Sequence, residues 1–216
     1  MMLKVLGSYF TRAVLFCSFV CGAATASADG FSDEQIKKLS TFLSNFTEIG
    51  FYTVDNRDFL DPLHPETAIR FGIWHNFVNN EESYGFCAEG KGETKFSDAK
   101  GCHIGYFAMP KKYVQNSIMK YLDFTFEDHQ SVSSEYGNFA FDGNYYYFEG
   151  ASGEAVYTRV LKANQDSPGV ISCSGTLYNP DNPDEILGTF RAEVSPSEWQ
   201  GKKLWYLMNI ESEFKR

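Results

Sequence analysis

The sequence predicts an α+β fold in which N-terminal helices pack on one face of a curved C-terminal antiparallel β-meander. Apolar residues recur at spacings of three and four in segments between residues 31 and 122, as on one face of a helix. From residue 138 to residue 214, apolar and polar residues alternate instead, in runs separated by Gly, Asn, Asp and Pro. Because such strands present one apolar face, we expect the helices to cover it.

The first helix is predicted by a capping box, with Ser32 as the N-cap and Gln35 at the third helical position. Phe31 and Ile36 supply the accompanying hydrophobic staple, and Gly50 can end the helix. The apolar stripe between them consists of Ile36, Leu39, Phe42, Leu43 and Phe46. This pattern is typical of a helix that covers a sheet.

Two further helices are predicted by prolines at their starts. Pro65 opens a helix over residues 66–78, and Trp74 and His75 lie off its inner apolar stripe. Its inner stripe is expected to hold Ile69, Ile73 and Phe77. Pro110 opens another helix that runs to about residue 122. Residues 55–65 are interpreted as a loop, and Phe124 and Phe126 as a short first strand.

The meander is predicted from its turns. Asp142 and Gly143 form a two-residue hairpin signal between residues 139–141 and 144–148. Later strands are expected over residues 154–163, 170–178, 186–194 and 204–214. Their inward rows are predicted to be Ile171, Cys173, Gly175 and Leu177, then Ile186, Gly188, Phe190, Ala192 and Val194, then Leu204, Tyr206, Met208 and Ile210.

The opposite face of the sheet carries the candidate binding residues. These are Tyr145, Tyr147, Tyr157, Arg159, Arg191 and Trp205. Tyr, Trp and Arg dominate binding hot spots, so this aromatic and basic face is predicted to hold a ligand or a protein partner. The alternative is that these residues are ordinary cross-strand pairs with no partner.

Helices followed by a strongly curved antiparallel sheet can enclose a cone-shaped pocket. In outline this layout resembles nuclear-transport-factor-like and cystatin-like domains. The resemblance is one of architecture, and it implies no functional residues for this chain.

The first 28 residues are predicted to be a secretory signal peptide. Lys4 and Arg12 form a basic region before an apolar stretch over residues 13–20, and Ala26 and Ala28 fit a cleavage site. We therefore expect an exported protein, periplasmic or extracellular, with residues 29–216 as a single α+β domain. No later stretch holds the ~20 apolar residues of a transmembrane helix, so we expect no membrane span in the mature chain.

The cysteines fit an exported protein. Cys87 and Cys102 bracket a polar segment and are predicted to form a disulfide, whereas Cys173 lies on the apolar face of its strand and is predicted to be a buried thiol. No short Cys-x-x-Cys or paired-His motif occurs, and no phosphate-binding loop either. We expect neither a metal nor another cofactor.

Charge limits the partners. The formal net charge of −9 at pH 7 argues against nucleic acid and anionic membranes, and it permits a basic partner. The leading hypothesis is an exported non-catalytic binding or inhibitory protein that uses the aromatic sheet face or the cysteine-closed loop. The alternatives are a small hydrolase or isomerase with a pocket between helices and sheet, and a structural component of the cell envelope.

Overall fold

The computed structural model describes residues 30–87, 95–134, 137–150 and 153–215. Within these residues the chain forms four α-helices and two five-stranded antiparallel sheets, which confirms the predicted α+β class. The predicted signal peptide, residues 1–28, lies outside the described residues, and export remains a prediction. Among the described helices none combines the length and the apolar character needed to cross a bilayer.

Three helices begin and end close to their predicted bounds: α1 spans Asp33–Thr47, α3 spans Glu66–Asn79 and α4 spans Lys111–Leu122. The capping box of α1 is present, because the Gln35 amide donates to the Ser32 hydroxyl and the Ser32 amide donates to the Gln35 side chain. A short helix, α2, occupies Asn56–Leu60 inside the segment predicted to be a loop. Asp55 and Asp58 form a capping box at the start of α2, in residues that were predicted to lie in the loop.

Helix α3 is buried on more sides than predicted. Trp74 and His75 were expected to point away from the core, but they are 8% and 6% exposed. The reason is that α3 contacts α1 and α4 while its Trp74 ring packs on Phe139 and Phe148 of a sheet. A Cβ at Gly72 would lie 2.6 Å from a Val114 methyl carbon, so glycine permits the close approach of α3 and α4.

The strands form two sheets rather than the single predicted meander. Sheet A has the order β1, β10, β9, β8 and β7, with spans Val54–Asp55, Lys202–Phe214, Asn182–Trp199, Val170–Asn179 and Tyr157–Ser167. Sheet B has the order β2, β3, β6, β5 and β4, with spans Gly85–Phe86, Tyr106–Pro110, Tyr145–Glu149, Gly137–Phe141 and Val132–Ser134. Phe124 and Phe126, predicted as a strand, belong to neither sheet.

The division falls between β6 and β7. Strand β6 pairs on one side with β5, as predicted, and on the other with β3, which precedes α4 in the chain. Four consecutive residues of β6, from 145 to 148, are buried, so this strand is covered on both faces and lacks alternation. One apolar cluster nevertheless joins Phe139 and Phe148 of sheet B to Val160 and Phe190 of sheet A.

One turn is shifted by one residue from its predicted position, and another is shorter than predicted. Asp142 pairs with Tyr145, so the β5–β6 loop is Gly143 and Asn144, one residue later than expected, and Gly143 takes φ 102°. Strands β9 and β10 continue through the segment predicted as a loop and meet at Gln200 and Gly201. Both of these residues have positive φ, 51° and 77°, as a type I′ hairpin turn requires.

Alternation predicts most of the inward rows of β8 and β9, although Gly175 and Ile186 are only half-buried, and it fails for the first half of β10. Phe190, Ala192 and Val194 of β9 and Ile171, Cys173 and Leu177 of β8 are buried as predicted. In β10, Ile210 is buried as predicted, but the other buried residue is Leu207 and not Met208, because the register shifts between Leu207 and Asn209. This bulge places Leu207, rather than Leu204 and Tyr206, on the inner face, and Trp205 turns inward with it.

Helix α1 closes the free edge of sheet A. Strand β7 is an edge strand of that sheet, and two of its backbone amides point away from β8 toward α1. The Thr158 amide donates to the Ser44 hydroxyl at 3.0 Å, and the Val160 amide donates to the Ser40 hydroxyl at 2.9 Å. The Thr47 hydroxyl donates to the carbonyl of Val156 at 2.6 Å. These three hydroxyls are spaced by four and three residues, so they lie on one face of α1. The helix therefore satisfies an edge that would otherwise be open to pairing.

Candidate functional site

The six predicted binding residues do not form one face. Tyr145 and Tyr147 lie on β6 of sheet B, and the other four lie on sheet A: Tyr157 and Arg159 on β7, Arg191 on β9 and Trp205 on β10. Their separation follows directly from the division of the meander into two sheets.

Tyr145 and Tyr147 fasten the disulfide loop to sheet B. Both are buried, in a small cluster with the Cys87–Cys102 disulfide, which joins Cα atoms 5.6 Å apart. The Tyr147 hydroxyl donates to Asp142 at 2.6 Å and accepts from the Gly101 amide at 3.0 Å. The Tyr145 hydroxyl donates to Asp98, and burial together with that carboxylate raises the pKa of Tyr145 to about 12. The geometry engages these tyrosines in internal contacts, contrary to their predicted exposure on a binding face.

The predicted arginines lie on the outer face of sheet A. The Arg159 guanidinium stacks 4.7 Å from the Tyr178 ring centroid and donates to the Pro183 carbonyl at 3.0 Å. Arg191 lines a shallow cavity of about 530 Å³ together with Glu211 and Glu213. Since Glu211 is the direct cross-strand partner of Arg191, acidic groups offset the positive charge of this cavity.

Trp205 belongs to a different cavity, which we call the lysine groove. It lies between α1, the end of α4 and the start of β10, and its volume is about 530 Å³. Its lining includes four apolar or aromatic residues, which we call the floor (Phe42, Tyr121, Leu204 and Trp205), and five lysines, which we call the rim (Lys37, Lys38, Lys120, Lys202 and Lys203). Glu34, Thr41 and Asn45 complete the lining.

The floor of the lysine groove is the place where the aromatic core reaches the surface. Phe42 stacks on Tyr121 with ring centroids 5.8 Å apart and meets the edge of Trp205 at 6.0 Å. Phe42 follows from the apolar stripe of α1, which turns it toward the sheet. Trp205 reaches the floor because it shares the inner face of β10 with Leu207. The result is an apolar surface with fixed rings.

The rim of the lysine groove concentrates positive charge in an acidic protein. Five lysines face one carboxylate, Glu34, which pairs with Lys38 at 2.6 Å. No carboxylate among the described residues forms an ion pair with Lys37, Lys202 or Lys203. The Lys120 ammonium lies 4.6 Å from the Tyr121 ring centroid and donates to its hydroxyl at 2.9 Å. Glu198 lies outside the lining but is the direct cross-strand partner of Lys203. Even with this carboxylate the charge around the groove is positive, although the whole chain carries −9.

A second cavity, which we call the amide pocket, adjoins the groove. Its volume is about 330 Å³, and it shares Lys120 and Tyr121 with the lysine groove. The remaining lining residues are His75, Asn76, Asn79, Asn80, Tyr113, Asn116, Ser117, Trp199 and Gln200. The Asn76 side-chain amide donates to Ser117 at 2.8 Å and to the Tyr113 carbonyl at 3.0 Å, which ties the wall of α3 to α4.

His75 is neutral in the amide pocket. Burial, with a smaller contribution from the Lys120 charge, lowers its pKa to about 3. The Asn79 side-chain nitrogen lies 3.4 Å from Nδ1, and because that nitrogen can only donate, Nδ1 is the acceptor. The proton of the neutral ring is then on Nε2, for which the described residues provide no acceptor.

The sequence analysis missed the lysines and the amides. No role was predicted for the adjacent lysines at 37–38 and 202–203, nor for the asparagines near residues 76–80. The available signal was the position of Lys202 and Lys203 directly before an aromatic strand in an acidic chain. Among the described residues, no group of three His, Cys, Asp or Glu side chains is placed to hold a metal ion.

No protein-family model matches the chain, and comparisons with curated proteins and with solved structures find no match either. The two cavities are therefore interpreted from the chain's own residues.

Proposed function

We propose that the protein is a non-catalytic binding protein whose ligand is an anionic amphiphile held in the lysine groove. The observation that carries this proposal is a group of five lysines beside an aromatic surface, of which only Lys38 has an ion-pair partner among the described residues. The apolar part of the ligand lies on Phe42 and Trp205, and its anionic group lies among the lysines. The net negative charge of the chain permits a basic partner, but the local charge of the groove favours an anionic one.

The two parts of the groove make different contributions to binding. Each CH₂ group that leaves water contributes about 0.8 kcal/mol, whereas an exposed ion pair contributes about 0–1 kcal/mol. The floor therefore supplies most of the affinity for a chain of several carbons. The lysines select the sign of the charge, and their flexible stems can lie along the apolar part of the ligand.

The proposed location is outside the cytoplasm. The predicted signal peptide supports export, and the Cys87–Cys102 disulfide is compatible with an oxidising compartment. The groove replaces the sheet face and the cysteine-closed loop as the proposed binding site, because Tyr145 and Tyr147 of β6 are engaged in internal hydrogen bonds that hold the loop.

Calorimetric titration with matched amphiphiles tests this function. Decanoate should bind to the wild-type protein at least about tenfold more tightly than decyltrimethylammonium, since a cation of the same chain length is repelled by the rim. Replacing both Lys202 and Lys203 by alanine should weaken decanoate binding about five- to thirtyfold at low salt. The difference should shrink as the ionic strength rises.

The control for this titration is the double variant K162A/K215A, which removes the same charge from two lysines that do not line the groove. It should bind decanoate within about twofold of the wild type. Equal affinity for the two amphiphiles, or equal weakening by the two double variants, would contradict the proposed function.

A further inference from the structure

The amide pocket and the lysine groove share a single charged lining residue. Lys120 and Tyr121 line both cavities, and no other residue does. An anionic group bound to the Lys120 ammonium would therefore have the apolar floor on one side and the amide pocket on the other. A ligand that fills both cavities therefore carries three groups in this order: an apolar chain, an anionic group and a polar head group.

The lining of the amide pocket defines the chemistry of that head group. Apart from Lys120 the pocket holds no charged side chain, and its polar groups include the carboxamides of Asn79, Asn80, Asn116 and Gln200. Each carboxamide offers both a donor and an acceptor, as does a hydroxyl group. Such a lining matches a neutral, hydroxyl-bearing head group.

His75 is an independent indication that the pocket receives an acceptor. It is 6% exposed, its ring is held between Phe71 and Tyr121, and its Nε2–H has no acceptor among the described residues. Nε2 has no partner among those residues and is not fully enclosed by protein atoms, so it contacts the amide pocket that His75 lines. A ligand hydroxyl oxygen in the pocket would supply an acceptor for this N–H, which no described residue supplies.

We infer that the ligand of this protein is a single-chain phosphodiester amphiphile whose phosphate carries a hydroxyl-rich head group, such as glycerol or a sugar. The chain lies on the floor of the lysine groove, the phosphate lies at Lys120, and the hydroxyls lie in the amide pocket. This inference rests on the proposed function, since it assigns a head group to the amphiphile of the groove.

Three synthetic probes with the same dodecyl chain test the inference below their micelle concentrations. Dodecyl methyl phosphate and dodecyl glyceryl phosphate each carry one negative charge, and the glyceryl probe adds two carbons and two hydroxyls to the head group. Dodecylphosphocholine replaces the hydroxyls by a quaternary ammonium group. The glyceryl probe should bind to the wild type about tenfold more tightly than the methyl probe, as expected for one or two additional hydrogen bonds.

The variant N116A should lose most of that tenfold advantage while its affinity for the methyl probe stays within about twofold. Asn116 is exposed, and no described residue pairs with its side chain, so the substitution leaves the fold intact. The control Q165A removes an exposed side-chain amide from β7, outside both cavities, and should keep the advantage.

The outcomes separate this inference from the proposed function. If the methyl and glyceryl probes bind equally well, or if N116A keeps the full advantage, the inference is overturned while anion binding in the groove stands. Tighter binding of dodecylphosphocholine than of the glyceryl probe would also overturn it, because Trp199 and the tyrosines would then be binding a cation. Failure of all the anionic probes and of decanoate overturns both.

Discussion

The charge of His75 is decided by its surroundings and not by its residue type. In water a histidine titrates near pH 6.5, but on α3 the ring lies between Phe71 and Tyr121 and close to Lys120. Burial lowers the pKa to about 3, so the ring stays neutral at any physiological pH. The sequence analysis placed His75 on an outer face, because helical spacing alone does not show that a second helix packs there.

We expect His75 to reduce stability in acid. Its folded pKa lies below its unfolded pKa, so the unfolded state binds more protons between pH 6.5 and about 3. Stability is therefore complete above pH 6.5 and falls as the pH is lowered, by roughly 4 kcal/mol at pH 3. Urea unfolding across this range should show a shallower loss for H75F, whose ring can keep the contact with Phe71.

The control for acid unfolding is H103F, since His103 is exposed and lies away from α3. Its profile should match the wild type. Some slope should remain in H75F, because burial also lowers the pKa of His129, to about 4. An unchanged profile in H75F would show that His75 does not titrate as described.

Helix α1 and strand β7 show how two elements satisfy each other's polar groups. The Ser44 hydroxyl accepts from the Thr158 amide and donates to the Thr158 hydroxyl, which in turn donates to the Ser40 carbonyl. These groups are buried or half-buried and have little access to water, so each hydrogen bond offsets the free-energy cost of taking a polar group out of water. The apolar stripe of α1 was predictable from spacing, whereas the use of its hydroxyls was not, because Ser and Thr on a helix usually face solvent.

Replacing Ser44 by alanine should lower the free energy of unfolding by about 1–3 kcal/mol, because the buried Thr158 amide loses its acceptor. Urea unfolding measures the loss, and amide hydrogen exchange at Thr158 should accelerate. The matched control is T41A on the same helix, where the hydroxyl bonds only to a carbonyl within α1. That substitution should be neutral or slightly stabilising, since alanine favours the helix. Equal effects of S44A and T41A would exclude the edge-closing role.

Strand β10 shows the limit of alternation at the scale of one element. Alternation predicts Leu204, Tyr206 and Met208 on the inner face, but the bulge shifts the register by one residue near Met208. No glycine or other residue typical of a bulge marks this position, so the alternation of apolar and polar residues continues through it in the sequence. That one-residue shift is what brings Trp205 to the floor of the lysine groove.

At the scale of the whole molecule, the disulfide and the groove are built from different elements. Cys87 follows β2 beside sheet B, while the groove is formed by α1, α4 and the start of β10. One apolar cluster lies between the two sheets, with Phe139, Phe148 and Val160 among its residues. Loss of the disulfide should therefore reduce stability without changing the groove.

The double variant C87A/C102A should unfold at lower denaturant concentration, with a loss of roughly 3 kcal/mol for a loop of 15 residues. Its affinity for decanoate, measured where it is fully folded, should stay within about twofold of the wild type. A reducing agent should destabilise the wild type to the same extent and leave the double variant unchanged. A large loss of decanoate affinity in the folded variant would show that the loop and the groove are coupled.

Short-range patterns alone were enough to predict the α+β class, three of the helices, the inward rows of β8 and β9 and the pairing of Cys87 with Cys102. Each of these depends on residues a few positions apart or on one pair of cysteines, so local spacing and capping carry the information. Only the tertiary structure decided that β6 pairs with β3, that Trp205 turns inward, and that Lys37, Lys120 and Lys202 surround one apolar floor. These contacts join distant parts of the chain through packing and register, for which no local residue pattern has a preference.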